Sequence, residues 1–429
     1  MNFRFLKSSL LKNSVIYTLT DGISKGVAFL ALPLISRYLI PEELGIAANF
    51  DVLQNIISLL AGQAIVNSMP YFYYGKSREA QAQIVSNLLF IVIAANVLMS
   101  LFILVFTGVL DSYLHIGLSL QLLTIVSVMA HLVTGLNLIL FRLEDKPYSF
   151  SWLQIIQTLL YFALLVLLVV HFRLSALGKI YSSIIAFSAM AIVHIVLLIK
   201  RKYLTLSISK KGIGELLRFG VPLLPHSLSF WFKSGIDKII ITSFCGLAVN
   251  GLYSMAMSFG ALYTIFNNAF SNSYIPYLQK RLKNFTPENT EIEKTRIVKL
   301  SYTIMSGFIF LYFIVVFVCW LATKYVLDPQ YADSFQFIPW IILGLTFHSM
   351  YGLVIQFPYS VKKTLGMGII TFSGSLVQLL LTYLLVSNIG INGIKISYAL
   401  GSFIIMVGVW IYSNKVYPMP WFNVLINKK

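Results

Sequence analysis

The sequence predicts an all-α, polytopic membrane protein, and two observations carry this prediction. Of its 429 residues, 58% are hydrophobic and only 11% are charged, whereas a soluble domain carries about 25% charged residues. Apolar runs of about 18 residues or more recur along the whole chain, and each is long enough to cross a hydrocarbon core about 30 Å thick. A transmembrane β-barrel would instead show alternating segments of about ten residues.

Twelve apolar runs define twelve predicted membrane spans. In chain order these spans cover approximately residues 14–36, 43–71, 82–107, 114–141, 148–171, 176–199, 215–243, 249–275, 297–322, 335–358, 366–387 and 391–414. The first run is long, contains charged residues and lacks a cleavage site, so we expect a retained span rather than a signal peptide.

The placement of the basic residues predicts the orientation of the chain. With the N-terminus inside, most of the 32 Lys and Arg fall in inner segments, and the outer segments hold only Arg37, Arg173, Lys179, Lys324 and Lys395. This asymmetry follows the positive-inside rule and predicts that both termini are cytoplasmic. The net charge of +17 is therefore interpreted as an orientation signal, and no nucleic-acid partner is expected.

An internal repeat predicts two bundles. Placing ELGIAANF…NSMPYF over VNGLYSMA…NSYIPYL without gaps aligns the second and eighth spans and matches Gly45 to Gly251. A second match aligns the fourth and tenth spans. We therefore predict an N-terminal six-helix bundle at 1–205 and a C-terminal six-helix bundle at 206–429, in the same orientation. Transporters are commonly built in this way, with a substrate site near the middle of the bilayer.

Charged residues inside the predicted spans need compensation, because each costs about 2.5–3.5 kcal/mol at the bilayer centre. Lys233 and Asp237 are four residues apart, as are Asp21 and Lys25. This spacing predicts a carboxylate–ammonium pair on one helix face in the first span of each bundle.

Lys238 lies about 100° around the helix from its neighbour Asp237. It therefore lacks a partner in its own predicted helix, and Asp51 in the second span is a candidate partner.

Two interpretations of these ions remain open. They are either salt bridges that hold the bundles together, or the lining of a water-filled cavity in which lysines attract an anion and carboxylates take part in ion coupling. Polar residues such as Asn55 and Asn268 can likewise hydrogen-bond between helices or line a cavity for a hydroxyl-rich substrate. His131 and His348 are either packed histidines or members of a proton relay.

Missing motifs narrow the function. The sequence has no G-x-x-x-x-G-K-[ST] phosphate loop and no H-E-x-x-H, so neither ATP hydrolysis nor metalloenzyme chemistry is predicted. Cys245 and Cys319 form no metal-ligand cluster or disulfide framework. No large outer loop carries carboxylates or histidines, and we do not expect an enzyme.

Two segments resemble a known family. ISRYLIPEELGIA at 35–47 resembles the RYLGPEEFG signature of bacterial polysaccharide biosynthesis flippases of the O-antigen (Wzx) type, with Ile40 where glycine is usual. The segment at 219–260 resembles the seventh and eighth helices of the same family, with Asp237 and Lys238 where Asp-Arg is usual.

The resemblance implies the multidrug/oligosaccharidyl-lipid/polysaccharide exporter (MATE-like) fold, in which two six-helix bundles surround a central cavity. It also implies an ion-coupled flippase of the bacterial cytoplasmic (inner) membrane. Such a flippase moves an undecaprenyl-pyrophosphate-linked oligosaccharide to the outer leaflet, among membrane lipids and other proteins of polysaccharide assembly.

On this resemblance, candidate residues for binding the pyrophosphate and sugars are Lys25, Lys233, Lys238, Asn55 and Asn268. Candidates for coupling to H⁺ or Na⁺ are Asp21, Asp51, Asp237 and His348. No other cofactor and no metal site is implied.

Alternative functions remain. A cation-coupled multidrug exporter of the same fold is expected to have a cavity dominated by carboxylates, whereas here acids and lysines balance. A murein-precursor flippase usually has two further helices. A membrane-embedded polymerase or transferase needs catalytic outer loops, and a structural scaffold has no need of ionisable groups inside the membrane.

Overall fold

The computed structural model describes residues 9–205, 207–283, 290–361, 363 and 365–422, and the regular structure in these ranges is helical. The helices are α1 (Ser9–Tyr38), α2 (Pro41–Ser58), α3 (Ala64–Val66), α4 (Met69–Tyr73), α5 (Arg78–Leu114), α6 (Leu118–Leu143), α7 (Pro147–Leu165), α8 (Ser175–Lys200), α9 (Lys210–Gly220), α10 (Leu224–Ser234), α11 (Ile236–Cys245), α12 (Leu247–Lys283), α13 (Thr290–Tyr325), α14 (Ile338–Val354), α15 (Gln356–Ser360), α16 (Leu365–Ile389) and α17 (Ile391–Val416). A π-helical turn at Leu59–Gln63 joins α2 to α3, and a second at Val166–His171 extends α7.

In the described part of the chain, ten helical segments are long and apolar enough to cross a membrane. The predicted seventh span differs from expectation, because it is divided into α9, a 3-10 turn at Val221–Leu223, α10 and α11. The predicted eighth span lies in α12, which is continuous but interrupted by polar residues. The protein is thus a multi-pass α-helical membrane protein, and the count of twelve spans stays a prediction.

The chain divides into two compact units, Met1–Gly251 and Leu252–Lys429. The core of the first unit centres on buried side chains of α2, α5 and α6, among them Leu53, Leu88 and Leu136. Here α6 packs on α8, α5 and α2, while α1 packs on α7 and α11 packs on α2. The predicted bundle boundary at residues 205 and 206 is not tested by this division.

The second unit has its own core, in which α14 and α16 pack along α17, and α13 packs on α14. Val298, Val354 and Val409 are fully buried at its centre. The chain after α17 folds back, so that Trp421 joins the same core and is 2% exposed.

The start of α2 meets the start of α12 with backbone against backbone. A Cβ atom on Gly45 would lie 2.1 Å from the carbonyl oxygen of Leu247, and one on Gly251 would lie 1.7 Å from that of Pro41. These distances are far below van der Waals contact, so only glycine fits at either position. Gly45 and Gly251 are also the two glycines that the sequence repeat matches, and both lie in the first unit.

A buried amide network holds the same helix crossing. Asn49 Nδ2 donates to the carbonyl oxygen of Leu114 at 2.7 Å, which satisfies one of the free carbonyls at the end of α5. Asn49 Oδ1 accepts from Asn250 Nδ2 at 2.8 Å and from Thr242 Oγ1 at 3.2 Å. Asn49 and Asn250 are fully buried. Asn49 therefore hydrogen-bonds between helices.

We predict that Gly251→Ala destabilises the protein by at least about 1–3 kcal/mol, the usual cost of overpacking. The new methyl group meets a backbone oxygen, which moves only if α2 and α12 separate. The thermal unfolding midpoint of the purified protein in detergent measures the effect.

The matched control is Gly108→Ala in α5, where a Cβ atom meets nothing within 4 Å. This change is expected to be neutral or to stabilise the helix by up to about 1 kcal/mol. Equal midpoints for the two variants would contradict the close helix contact.

Candidate functional site

A stripe of polar side chains runs along the helix that begins with α2. Asn55, Gln63 and Asn67 are exposed, and the Asp51 side chain is 48% exposed. The stripe follows α2, the π-helical turn and α3, from Asp51 to Asn67 just after α3. We call these residues, with Ser58, the polar stripe.

The polar stripe crosses a kink at the π-helical turn. Gly62 within the turn has a φ of 121° and a ψ of 12°, a non-helical conformation that favours glycine. Helical spacing therefore does not relate the residues before the turn to those after it. A hydrogen bond spans the kink instead, because Ser58 Oγ donates to Gln63 Oε1 at 3.4 Å.

The exposure of the stripe has a physical consequence. Unpaired polar groups in lipid cost several kcal/mol each, so a row of them along a membrane helix indicates a surface that faces water. Gln54, on a different face of α2, shows the contrast, because its Oε1 accepts from Ser127 Oγ of α6 at 2.8 Å. The polar residues of α2 therefore form two groups: those that contact other helices, and those of the exposed polar stripe.

Asp51 at one end of the stripe pairs with Lys179 of α8 at 3.3 Å. The Lys179 side chain is only 16% exposed. The sequence offers Asp51 as the partner of Lys238, and the structure corrects this. Lys179 reaches Asp51 because it lies in the first turns of α8, which begins at Ser175 and packs on α2.

The predicted pair of Asp21 and Lys25 does not form, since no ion pair within 4.0 Å joins these two described residues. The Asp21 carboxylate instead accepts from Gln154 Nε2 of α7 at 2.9 Å. Farther along the contact between α1 and α7, Thr158 Oγ1 donates to Ser24 Oγ at 3.2 Å. Because α1 packs along α7, a neighbouring helix rather than the helix's own face supplies the partner of Asp21.

The predicted i, i+4 pairing of Lys233 and Asp237 requires one continuous helix, and the structure has two helices here. Gly235, with φ −122° and ψ −53°, separates α10 from α11, so helical spacing does not relate the two residues. The side chain of Lys233 lies outside the described residues. Asp237 is 6% exposed and lies in the first turn of α11, where the helix dipole favours a negative charge.

Lys238 follows Asp237 in α11. Its backbone N–H donates to Asp237 Oδ1 at 2.8 Å, and its side chain is partly buried. Among the side chains that the structure describes, no carboxylate lies within 4.0 Å of the ammonium groups of Lys238 or Lys25.

The candidates of the second unit lie on α12 and α14. Asn268 and Asn272, one helical turn apart, are both exposed, which repeats on a shorter scale the polar face of α2. His348 stacks on Tyr351 with ring centroids 5.2 Å apart. In the described part of the chain, no three His, Cys, Asp or Glu side chains are placed to hold a metal ion.

His131 in the first unit is a packed histidine. Its ring stacks on Phe187 with centroids 3.5 Å apart, and its Nδ1 hydrogen-bonds with the Ser127 carbonyl oxygen at 2.9 Å.

A network around Glu144 ties together the ends of several helices in the first unit. Glu144, at the C-terminal end of α6, pairs with Arg201 at 2.6 Å, Lys146 at 2.9 Å and Arg78 at 3.5 Å. Tyr203 also donates its hydroxyl to Glu144. We call this set the Glu144 network. It joins the start of α5, the end of α6 and the segment after α8.

The network sets the protonation state of its members. Burial alone would raise the pKa of Glu144, but hydrogen bonds from Arg201, Tyr203 and Lys146, with the charge of Arg201, lower it to about 2. Burial and the bond to Glu144 raise the pKa of Tyr203, so this hydroxyl remains a donor at neutral pH. Glu144 is therefore ionised under all ordinary conditions.

Sequence reasoning missed Lys179 and Glu144. Lys179 had a usable signal, since it falls within a predicted span and a buried cation there needs an acid. Glu144 had none, because RLEDK at 142–146 looks like any short charged loop until the helix ends meet.

Comparisons with known proteins agree with this architecture. The sequence model of a family described as polysaccharide biosynthesis protein matches residues 10–281. Lsg locus putative protein 1 of Haemophilus influenzae is 24% identical over 295 residues, covering 64% of this chain and 67% of that protein.

Two solved structures are similar in fold. An inward-facing multidrug resistance MATE family transporter of the MOP superfamily has a TM-score of 0.72 and 15% identity, covering 94% of this chain and 96% of its own. The lipid II flippase MurJ, inward closed, has a TM-score of 0.72 and 15% identity, covering 96% of this chain and 91% of its own. The predicted all-α, MATE-like fold is confirmed.

We predict that Asp51→Asn lowers stability by about 1–3 kcal/mol, because it leaves the mostly buried Lys179 ammonium without its counter-charge. Asp51 itself is half-exposed, which keeps the loss below that of a fully buried pair. The double variant Asp51→Asn/Lys179→Gln should recover part of the loss. Thermal unfolding midpoints of both single variants and the double variant form the test. Strictly additive effects would show that the two residues do not interact.

We predict that Glu144→Gln destabilises the protein by about 2 kcal/mol at neutral pH, since Arg201 loses a charged acceptor. The folded pKa of Glu144 is about 2, below an unfolded value of about 4.3. Its stabilisation is therefore complete above about pH 4.5 and is lost as the pH falls toward 2. Unfolding midpoints of wild type and variant should converge over this window.

The control is Glu291→Gln, which removes an 80% exposed carboxylate from a surface pair with Lys294. Such pairs contribute little, so this variant should match wild type throughout. A constant gap between wild type and Glu144→Gln from pH 7 to the acid limit of the folded state would contradict the network.

Proposed function

Because the chain belongs to the family of polysaccharide biosynthesis proteins, we propose that it is the flippase for an undecaprenyl-pyrophosphate-linked oligosaccharide repeat unit. It carries this lipid from the cytoplasmic to the outer leaflet by alternating access. The coarser conclusion, a membrane transporter of the flippase type, follows from the family and the fold.

The polar stripe is the observation that carries the proposal. A sugar chain cannot cross hydrocarbon bare, because each hydroxyl without a hydrogen-bond partner costs several kcal/mol. Asn55, Gln63 and Asn67 are neutral donors and acceptors, and they are exposed on both sides of the kink at Gly62 in the second predicted span. Asn268 presents the same chemistry in the second unit. Neutral amides suit hydroxyl groups better than they suit a cationic drug.

The lysines supply the second requirement, attraction of a pyrophosphate. Lys25 and Lys238 are partly buried, and no described carboxylate neutralises either of them within 4.0 Å. An uncompensated ammonium group in a membrane segment is costly unless an anion or water reaches it. In this proposal Lys25, Lys233 and Lys238 hold the diphosphate while the stripe receives the sugars.

Coupling to an ion gradient forms part of the proposal. Asp21, Asp51, Asp237 and His348 are the candidates for H⁺ or Na⁺ coupling. Asp51 is the strongest of them, because its carboxylate is half-exposed on the polar stripe and also paired with Lys179. Protonation of Asp51 or binding of Na⁺ to it would weaken that pair and so alter the contact between α2 and α8.

A multidrug exporter of the same fold is the rival function. It needs carboxylates that are free to meet a cationic drug, yet Asp51 pairs with Lys179 and Asp21 accepts from Gln154. The balance of polar groups therefore favours the glycan lipid.

The remaining expectations belong to the same proposal. The chain is a multi-pass membrane protein, and we place it in the bacterial cytoplasmic membrane with both termini in the cytoplasm, because of its charge asymmetry. Membrane lipids surround it, and other proteins of polysaccharide assembly supply and consume its substrate.

We predict that Lys238→Ala or Lys233→Ala abolishes export of the glycan and leaves membrane insertion intact, because each removes a cation expected to hold the pyrophosphate. The measurement is surface polysaccharide in a deletion strain complemented with each variant, together with the lipid-linked oligosaccharide that accumulates inside. Lys395→Ala, at an exposed site where Lys395 donates to Asn392, is the control and should export normally.

Wild-type export by both lysine variants would reject their assignment. A deletion strain that keeps its surface glycan but becomes sensitive to cationic drugs would reject the flippase in favour of the drug exporter.

A further inference from the structure

A cavity in the second unit lies apart from every residue assigned to transport. It has a volume of about 380 Å³ and is lined by Tyr302, Val407, Trp410, Asn414, Trp421 and Phe422. This volume falls in the usual range for small-molecule sites, about 300–1,000 Å³. We call it the C-terminal cavity. It lies between α13, α17 and the segment that follows α17.

The walls of the cavity are held in place. Trp421 and Trp410 stack edge to face with ring centroids 4.9 Å apart, and Tyr302 donates its hydroxyl to the Trp421 carbonyl oxygen at 3.0 Å. Asn414 Oδ1 accepts from the Met419 N–H at 3.0 Å. These bonds fold the chain after α17 back against the bundle and form the cavity.

The rim of the cavity is apolar on one side and basic at one end. Ile411 is 67% exposed and Phe422 74% exposed, which suits a surface that faces lipid. Lys299 lies one turn before Tyr302 on α13, and Lys415 lies one turn after Ile411 on α17, so helical spacing places both near the mouth of the cavity. Both lysines are exposed.

These lysines lie at the ends of α13 and α17 that the charge distribution assigns to the cytoplasm. Anionic lipids give a membrane surface a negative potential, which attracts basic residues by about 1 kcal/mol each. Aromatic residues such as Trp410 and Tyr302 are also common at this depth.

We propose that the C-terminal cavity binds one anionic phospholipid of the cytoplasmic leaflet. One acyl chain enters the aromatic cavity, and the phosphate lies between Lys299 and Lys415. The bound lipid attaches the chain after α17 to α13. This site is separate from the transport pathway and does not depend on which substrate is carried.

The experiment is native mass spectrometry of the full-length protein in detergent, titrated with palmitoyl-oleoyl phosphatidylglycerol or with phosphatidylcholine of the same chains. Wild type should bind one phosphatidylglycerol at least tenfold more tightly than phosphatidylcholine. Lys299→Gln/Lys415→Gln should reduce that affinity at least tenfold.

The matched control is Lys324→Gln/Lys395→Gln, which removes the same charge from the opposite ends of the same two helices. It should bind phosphatidylglycerol as wild type does. Val407→Phe fills the cavity and should weaken binding of both lipids, and if this variant fails to fold, the lysine variants still decide.

Equal phosphatidylglycerol binding by the two lysine double variants would overturn the proposal. A second result would also overturn it. If undecaprenyl phosphate displaced phosphatidylglycerol from wild type at equimolar concentration, and bound more weakly to Lys299→Gln/Lys415→Gln, the cavity would hold the isoprenoid carrier rather than a phospholipid.

Discussion

The high cost of an unpaired polar group in hydrocarbon is the constraint on which this structure depends. The chain meets it in two ways. Asn49 and Asn250 are fully buried and bond to each other at a helix crossing. Asn55 and Gln63 are left exposed, which is tolerable in a membrane protein only where water reaches them. The first arrangement stabilises the bundle, and the second provides a surface that a hydroxyl-rich substrate can use.

Departures from regular helix occur where this polar surface is built. The kinked π-helical turn at Leu59–Gln63 brings the side chains of Ser58 and Gln63 into contact, and Gly235 ends α10 so that Asp237 lies in the first turn of a new helix. Irregular backbone inside a membrane is tolerated where it is enclosed by protein or lines a polar cavity. Both irregularities lie in elements that pack on each other, since α10 contacts the π turn. They therefore belong to one region of the first unit.

The Glu144 network provides rigidity at the end of the same unit. One ionised carboxylate holds three cations from different segments, and the pKa of about 2 means that ordinary changes in pH do not release them. By contrast, Asp51 is half-exposed and pairs with a single lysine, which makes that ion pair easier to break. The Glu144 network holds helix ends in place, whereas the ion pair of Asp51 and Lys179 on the polar stripe can break. This combination suits a transporter whose helices shift during a cycle.

The sequence by itself determined the class of protein, the approximate spans, the proposed orientation and even the match of Gly45 to Gly251. Hydropathy and charge asymmetry sum over many residues, so single errors do not change the outcome. Only the tertiary structure decided that Gln154 is a partner of Asp21 and Lys179 a partner of Asp51, and that the helix breaks at Gly235. Each of these depends on the position of a helix distant in sequence or on one glycine's backbone angles. Local spacing carries no information about either, because a side chain pairs with whatever lies nearest in space.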